Sequence, residues 1–198
     1  MDRRSQNVTW HAHAVTRERR AELLGADGAT VWITGLPASG KSTVAVALEA
    51  ALLDRGRAAY LLDGDNLRHG LNGDLGFSAE DRAENVRRTG EVARLFADAG
   101  LVALAALVSP YAADRRRIRE RHEADGLRFV EVYVNTPLEE CERRDPKGLY
   151  ARARAGELPG LTGVDDPYEA PARPELELRP LEQEVGYAVA AVIALLES

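Results

Sequence analysis

The stretch Gly35-Leu36-Pro37-Ala38-Ser39-Gly40-Lys41-Ser42 contains the pattern G-x-x-x-x-G-K-[ST]. It follows an apolar, β-branched run at 29–34 (ATVWIT), which predicts a buried strand. It precedes a segment, 42–55, whose apolar residues recur at helical spacing. Between a strand and a helix, the glycines allow backbone N–H groups to surround phosphate oxygens, and the helix directs its positive end at the same anion. The stretch therefore predicts a P-loop that binds a nucleoside triphosphate.

The motif assigns roles to particular side chains. We expect Lys41 to reach the β- and γ-phosphates and the Ser42 hydroxyl to ligate magnesium. Lys41 and Lys147 are the only lysines among 26 basic residues, and a compact ammonium differs from a planar guanidinium. Both sites thus become candidates for a lysine-specific role, although chance retention explains two lysines equally well. The predicted ATP-binding residues are Gly35, Leu36, Pro37, Ala38, Ser39, Gly40, Lys41, Ser42 and Thr43.

The rest of the chain alternates strands with helices, which is typical of a parallel sheet covered by helices on both faces. The sequence therefore predicts an α/β, three-layer P-loop NTPase fold in a single domain over 1–198, with an N-terminal leader at 1–28. Residues 145–174 are rich in Gly, Pro and Asp with weak periodicity, so we interpret them as a lid. The further predicted strands are 58–62, 101–108 and 129–134, and the further predicted helices are 78–99, 112–124, one opening at 136–139 with Thr136 as its cap, and 183–196.

Composition limits the classes of partner. The 198 residues carry a net charge of −6, which argues against non-specific nucleic-acid binding. The longest apolar runs, 101–108 and 188–196, are too short to span a bilayer, so no membrane association is expected. A single cysteine, Cys141, excludes an intrachain disulfide and suits a reducing cytoplasm.

Polar and aromatic residues after the second predicted strand are candidates for acceptor chemistry. Asp63 and Asp65, at a strand end beside a P-loop, suit magnesium coordination or orientation of an acceptor hydroxyl, and an Asx-rich turn is the alternative. Four arginines, Arg68, Arg82, Arg87 and Arg88, could grip phosphate or sulfate, although a surface helix of this Arg-rich chain would carry arginines in any case. Phe77 could stack on a base or act as a hydrophobic staple, and local sequence favours neither.

Longer segments resemble the adenylylsulfate (APS) kinase family. The segment 63–88, DGDNLRHGLNGDLGFSAEDRAENVRR, is similar to the family's substrate-binding segment nearly residue by residue. Further similar stretches are 109–111 (SPY), 132–141 (VYVNTPLEEC), 145–150 (DPKGLY) and 162–169 (TGVDDPYE), and the leader WHAHAVTRERR also resembles the family's. The resemblance covers about 7–174, and the run at 63–88 is far more specific than the P-loop.

The resemblance implies an activity and a set of residue roles. The enzyme would transfer the γ-phosphoryl group of ATP to the 3′-hydroxyl of adenosine 5′-phosphosulfate, a step of sulfate assimilation. Ser42 and Asp63 would hold the Mg²⁺ ion. Lys41 and Asp63 would be catalytic, and Ser109 aligns with a serine designated as a phosphoserine intermediate, or else is a positioning residue. A homodimer and an association with ATP sulfurylase are also implied. The implied substrate-binding residues are Asp65, Arg68, Phe77, Arg82, Asn85, Lys147 and Leu161.

One departure from the family pattern keeps other functions open. The family usually has an aromatic residue before the T-G-x-D segment, where this chain has Leu161. If two aromatic rings normally enclose the APS adenine, the loss of one costs about 1 kcal/mol. The alternatives are a P-loop kinase for another nucleotide-like or natural-product alcohol, and a weakly active subunit that regulates an ATP sulfurylase. The intact Lys41, Ser42 and Asp63 argue against the regulatory alternative.

Overall fold

A computed structural model describes residues 8, 9, 11 and 14–198. The predicted leader over 1–28 therefore lies partly outside the described residues, at 1–7, 10, 12 and 13. The rest of the leader contains helix α1 (Arg17–Leu24), which begins at the side-chain cap Thr16. Arg17 and Arg20 both bind the carboxylate of Asp98, at 3.1 and 3.0 Å. These ion pairs attach the described part of the leader to the body of the domain.

The sheet is parallel throughout, in the order β2-β3-β1-β4-β5. Four strands confirm the predictions to within a few residues. The three-residue fifth strand was missed, because so short an alternation of Leu and Glu gives no distinct pattern. The strands are β1 (Ala29–Thr34), β2 (Ala59–Asp63), β3 (Val102–Ala106), β4 (Arg128–Val134) and β5 (Leu176–Leu178).

Helices connect the strands and cover both faces of the sheet, which confirms the predicted three-layer α/β architecture. The cap predicted at Ser78 is present, since its hydroxyl accepts a hydrogen bond from the N–H of Asp81 at 3.1 Å. None of the helices in the described part of the chain is long and apolar enough to cross a bilayer. The helices after α1 are α2 (Lys41–Asp54), α3 (Gly64–Leu67), α4 (Ala79–Asp98), α5 (Ala112–Ala124), α6 (Leu138–Arg144), α7 (Leu149–Arg154) and α8 (Val185–Glu197).

The prediction for the start of α6 was wrong in detail. Pro137 is the cap residue rather than the first helical residue, and no side chain caps the helix. Thr136 instead donates its hydroxyl to the backbone carbonyl of Ser39 at 2.8 Å. A buried carbonyl needs a donor, and the side chain of Thr136 supplies it at the cost of the cap. Thr136, which matches the sequence pattern of a helix start, therefore stabilises the P-loop rather than the helix.

The central strand β1 divides the core into two halves. Val31 and Ile33 face the cluster formed with α2 and α8, whereas Trp32 faces the cluster formed with α4 and α5. All three side chains are fully buried. Burial on both faces explains the continuous apolar run in the sequence, since neither face of a covered parallel strand meets water. This buried strand gives the loop that follows it a rigid base.

The predicted lid is more structured than its composition suggested. It contains α7, and an isolated bridge joins Thr162 to Asp166. A small apolar cluster of Cys141, Tyr150 and Leu161 packs beneath it. The segment predicted as a lid therefore shares a small apolar core with α6 and the P-loop, although its high Gly and Pro content obscures the pattern in the sequence.

Two glycines on helices give a test of the packing between α4 and α5. A Cβ at Gly90 would lie 2.4 Å from the Cδ1 of Ile118, whereas a Cβ at the exposed Gly186 in α8 would meet nothing within 4 Å. We expect Gly90→Ala to lower the free energy of unfolding by about 1–3 kcal/mol through overpacking. Gly186→Ala should raise it by roughly 0.5–1 kcal/mol through helix propensity. Urea denaturation measures both, and equal stabilisation by the two variants would contradict the close packing.

Candidate active site

The P-loop adopts backbone conformations that only certain residues tolerate. Gly40 has φ 105°, and Ala38 is held at φ 60°, in the left-handed region. At Gly35, a Cβ would lie 2.6 Å from the carbonyl oxygen of Val134 and 2.8 Å from the Oγ of Ser39. No side chain fits there without displacing backbone, so Gly35 permits the close approach of the loop to β4. The predicted loop at 35–42 thus lies at the carboxyl end of the central strand.

Neighbouring segments hold the loop from outside. The hydroxyl of Tyr150 donates to the carbonyl of Pro37 at 3.0 Å, and Thr136 holds Ser39 as described above. The contact to Pro37 uses a carbonyl acceptor and therefore none of the loop's N–H donors. Leu36 packs on the lid, where a Cβ at Gly163 would lie 2.8 Å from its Cδ2. The loop is therefore built jointly by β1, α6 and the lid.

Lys41 begins α2 and is 8% exposed. Its ammonium donates to the carbonyls of Leu36 at 2.7 Å and Gly35 at 3.0 Å, so the loop folds around the charge. Burial is the main cause that lowers the pKa of Lys41 to about 8, and nearby carboxylates oppose the shift. A bound polyphosphate would favour the charged form of Lys41, because its anionic oxygens would replace the water that burial excludes from the ammonium. The geometry suits the predicted contact with the ATP phosphates.

Ser42 and Asp63 meet at the front of the loop. The Ser42 hydroxyl donates to Oδ2 of Asp63 at 2.9 Å. The other carboxylate oxygen accepts from the N–H groups of Asp65 at 2.9 Å and Asn66 at 3.3 Å, which makes Asp63 the cap of α3. Asp63 therefore forms the Asx-type turn and also holds a carboxylate oxygen beside the P-loop, so the two alternatives for this residue are compatible. The backbone contacts fix the carboxylate that faces Ser42.

The hard oxygen ligands at this position suit magnesium. Mg²⁺ prefers a few protein oxygens together with water and phosphate oxygens, and Ser42 and Asp63 offer a hydroxyl and a carboxylate side by side. Within the described ranges, no group of three or more His, Cys, Asp or Glu side chains forms a metal cage. A magnesium ion here would thus need the phosphates of a nucleotide to complete its shell.

Asp65 and Lys147 link the acceptor side to the lid. Their side chains form a close ion pair, although both are exposed, at 67% and 58%. Exposed pairs contribute little to stability because water screens them. Both side chains are therefore free to exchange partners when an anionic ligand arrives, in keeping with the predicted place of Lys147 near the nucleotides.

Arg68, Phe77 and Arg82 form one cluster. The guanidinium carbon of Arg68 lies 4.2 Å from the centre of the Phe77 ring, and that of Arg82 lies 5.8 Å from it. The ring is nevertheless 63% exposed, so it does not act as a staple in the core. Arg82 also donates to the Thr162 hydroxyl at 2.9 Å and to the Gly160 carbonyl. The cluster presents one exposed aromatic ring with Arg68 against it, whereas the guanidinium of Arg82 is occupied by Thr162, Gly160 and, at 3.5 Å, the carboxylate of Asp166.

Asn85 lies on α4 at the back of this cluster and is 8% exposed. Its side-chain oxygen accepts a hydrogen bond from Asn72 at 2.9 Å. Leu161, the other residue predicted to contact the acceptor, is also only 8% exposed and packs with Cys141 and Tyr150. Its adjacent residue Thr162 reaches Arg82, but the leucine side chain itself lies within the lid core. A stacking role for Leu161 stays a prediction.

Ser109 lies three residues after the end of β3, in a closed hydrogen-bond network. It is 3% exposed and held at φ 40°. Its hydroxyl accepts from the Trp32 indole at 3.1 Å and donates to the Thr34 hydroxyl at 2.9 Å. The Tyr168 hydroxyl, from the lid, lies 3.0 Å from Thr34. These contacts favour the positioning alternative for Ser109 over a covalent one.

Sequence reasoning missed several residues around the site. Arg115 is 2% exposed, pairs with Glu131 at 2.9 Å and donates to the carbonyls of Ser109 and Glu169. An arginine in an Arg-rich helix carries no signal that distinguishes it from its exposed neighbours. Arg144 is a second case, and its Nη1 lies 3.4 Å from the carbonyl of Ser39. It borders a cleft of about 470 Å³ that runs from Gly40 and Thr43 to residues 180–185.

Comparisons with known proteins agree with this geometry. The model of the family described as adenylylsulphate kinase matches residues 27–179. An adenylyl-sulfate kinase of Klebsiella pneumoniae subsp. pneumoniae is 60% identical over 178 residues, which cover 90% of this chain and 88% of the relative. One of Citrobacter koseri is 59% identical over 191 residues, with 96% and 94% covered.

A solved structure shares both the fold and much of the sequence. The Mycobacterium tuberculosis APS kinase CysC in complex with AMPPNP and APS superposes with a TM-score of 0.84 at 55% identity, over 87% of this chain and 99% of that one. The P-loop, the carboxylate that faces it and the Arg–Phe–Arg cluster thus occur in a chain that is about 60% identical to adenylyl-sulfate kinases. The chain belongs to the adenylylsulphate kinase family.

Proposed function

We propose that this chain transfers the γ-phosphoryl group of ATP to the 3′-hydroxyl of adenosine 5′-phosphosulfate, giving 3′-phosphoadenylylsulfate for sulfate assimilation. The observation that carries the proposal is the Ser42–Asp63 contact of 2.9 Å, which places a fixed carboxylate at the front of a P-loop. The family and the solved relative that holds AMPPNP and APS support the choice of substrates.

The carboxylate of Asp63 is the group placed to act on the acceptor hydroxyl. Backbone N–H groups fix one of its oxygens, so the other keeps a defined direction beside Ser42. From there it orients the 3′-hydroxyl and accepts its proton as the hydroxyl oxygen bonds to the γ-phosphorus, while the bond from that phosphorus to the bridging oxygen breaks and ADP leaves with the electron pair. Lys41 stabilises the negative charge on the phosphates. In this mechanism positioning and charge stabilisation do the work, and no covalent enzyme intermediate is needed.

Magnesium is the cofactor that this site would use. Ser42 and Asp63 would hold it together with phosphate oxygens, because both supply the oxygen ligands that Mg²⁺ prefers. When bound, the ion neutralises charge on the β- and γ-phosphates.

The Arg68–Phe77–Arg82 cluster would bind the acceptor. The exposed face of Phe77 offers a stacking surface for the adenine, and the arginines match the anionic phosphosulfate, which they can grip in bidentate fashion. Asn85, Asp65 and Lys147 complete the predicted acceptor site. Because Arg82 also holds Thr162 and Gly160 of the lid, acceptor binding and lid position depend on the same side chain.

The cleft behind the P-loop would hold the nucleoside of ATP. It begins at Gly40 and Thr43, next to the phosphate-binding backbone, and Arg144 forms part of its wall. A guanidinium can stack on the face of a purine ring. ATP and the acceptor would then approach the Ser42–Asp63 pair from opposite sides of the loop.

A cytoplasmic location, a homodimer and an association with ATP sulfurylase complete the proposal as predictions from family resemblance. Size-exclusion chromatography coupled to light scattering measures whether the chain forms a homodimer. Co-purification measures whether it associates with ATP sulfurylase. The alternative, a kinase for another nucleotide-like alcohol, is favoured by one observation, the burial of an aliphatic Leu161 where a second ring would be expected.

The first test is APS-dependent release of ADP, with ATP and magnesium, by the wild type and Asp63→Asn. We expect robust turnover by the wild type and a loss of about 10²–10⁴-fold in kcat for the variant, because asparagine cannot accept the proton. Asparagine can still cap α3, so stability should change little. The matched control is Asp54→Asn, at an exposed position, which should leave kcat unchanged. Wild-type protein that releases no ADP with APS would refute the proposal.

The lowered pKa of Lys41 predicts how ATP binding depends on pH. In the free protein the ammonium loses its proton above about pH 8. Bound phosphates favour the charged form, so the dissociation constant for ATP should be steady below pH 8 and rise by up to about tenfold per pH unit above it. Lys41→Arg keeps its charge, and its binding, although weaker, should not follow this profile. Titration calorimetry from pH 6.5 to about 9.5 measures both, and a flat wild-type profile would contradict the assignment.

Leu161→Phe tests acceptor specificity. If a ring at 161 turns toward the acceptor site, stacking worth about 1 kcal/mol should lower the KM for APS roughly fivefold. The control is Leu158→Phe, a partly buried leucine packed against the same lid cluster, which should lower stability without changing KM. An unchanged KM in both variants would rule out position 161 as a stacking site. A wild type that prefers another alcohol in a substrate panel would establish the alternative function.

A further inference from the structure

Asn72 is a fully buried polar residue in the loop between α3 and α4. Its side-chain nitrogen donates to the side-chain oxygen of Asn85 at 2.9 Å and lies 3.5 Å from the Thr89 hydroxyl oxygen. The Thr89 hydroxyl in turn donates to the backbone carbonyl of Asn85 at 2.8 Å. The two ends of the Asn85 residue are thus held by one connected set of hydrogen bonds.

A second, independent set of contacts holds the same loop on its outer side. Arg88 binds both carboxylate oxygens of Asp74, at 2.6 and 2.9 Å, and donates to the carbonyl of Leu71 at 3.1 Å. Glu84 holds Arg88 in place through a 2.8 Å contact. The loop therefore stays attached to α4 through Arg88 even if the inner contact of Asn72 is removed.

The inner contact determines which way the Asn85 amide points. An amide has a carbonyl end and an NH₂ end, and Asn72 uses the carbonyl end of Asn85. Within the described part of the chain, no residue accepts a hydrogen bond from the NH₂ end. The Oδ1 of Asn72 is itself buried and has no partner among the described residues, which is unfavourable for stability. The contact therefore fixes the direction of the Asn85 amide at a cost in stability.

We propose that Asn72 is a positioning residue that turns the NH₂ group of Asn85 toward the acceptor substrate. The inference rests on the proposed function, in which Asn85 contacts adenosine 5′-phosphosulfate. The acceptor presents phosphate, sulfate and sugar oxygens to the enzyme, and these accept hydrogen bonds. An amide turned the other way would present its own carbonyl oxygen to anionic oxygens, which repels rather than binds.

A double-mutant cycle tests whether Asn72 acts through Asn85. The variants are Asn72→Leu, Asn85→Ala and the double variant, each assayed for kcat and for the KM of APS. We expect Asn72→Leu alone to raise the KM for APS about tenfold, with kcat within about twofold of the wild type. In the Asn85→Ala background the same change should raise KM no further. An equal rise in both backgrounds would overturn the proposal, because a general structural effect does not require Asn85.

Hydrogen exchange of the side-chain amides gives a readout that needs no substrate. By NMR of the wild type, the Asn72 NH₂ should be protected and the Asn85 NH₂ should exchange freely. In Asn72→Asp the carboxylate can only accept, so Asn85 should turn over and its NH₂ should become protected. A protected Asn85 NH₂ in the wild type would overturn the proposal. Wild-type protein with this exchange pattern but without APS-dependent turnover would refute the proposed function while leaving the orientation of Asn85 established.

Discussion

The active-site end of the sheet depends on a buried cation at the start of α2. The ammonium of Lys41 has little contact with water, and the carbonyls of Gly35 and Leu36 supply its hydrogen bonds. These carbonyls can point inward only because the loop turns through left-handed conformations at Ala38 and Gly40. Burial lowers the pKa of Lys41 more strongly than the nearby carboxylates raise it, so the free site is short of negative charge. An anion at the loop supplies the missing partner, which links the fold of the loop directly to nucleotide binding.

The sequence was sufficient for the features that depend on local pattern. Four strands, the cap at Ser78, the approximate ends of the long helices and the P-loop follow from apolar periodicity, capping pattern and glycine placement. The sequence did not predict features that depend on contacts across the fold. Thr136 matches a helix cap but bonds to Ser39, and Leu161 matches a position beside the acceptor but packs into the lid. Arg144 resembles every other arginine until α6 places it beside the P-loop.

At the candidate acceptor site, too, the sequence identified residues through local pattern but not their contacts across the fold. The family resemblance named Asn85 and Arg82, and both lie on one helix, where their spacing of three residues gives them neighbouring positions. The resemblance could not show that Asn72 holds the far end of the Asn85 amide, since that contact spans 13 residues of chain. Nor could it show that Arg82 bonds to Gly160 and Thr162, about 80 residues away. Contacts of long sequence separation orient the side chains that short motifs identify.

The network around Ser109 shows how a serine can support a site without entering the reaction. Its hydroxyl both accepts and donates a hydrogen bond, and the Thr34 hydroxyl beyond it donates to Val108 while it faces Tyr168 of the lid. A phosphoryl group on Ser109 would require the loss of these contacts in a space closed to solvent, and Arg115, the cation that donates to the Ser109 carbonyl, is already paired with Glu131. Asp63 requires no such rearrangement, because it already faces the P-loop. Direct transfer between two bound substrates therefore requires less rearrangement of this structure than transfer through Ser109. The serine is better suited to connect the end of β1 to the lid.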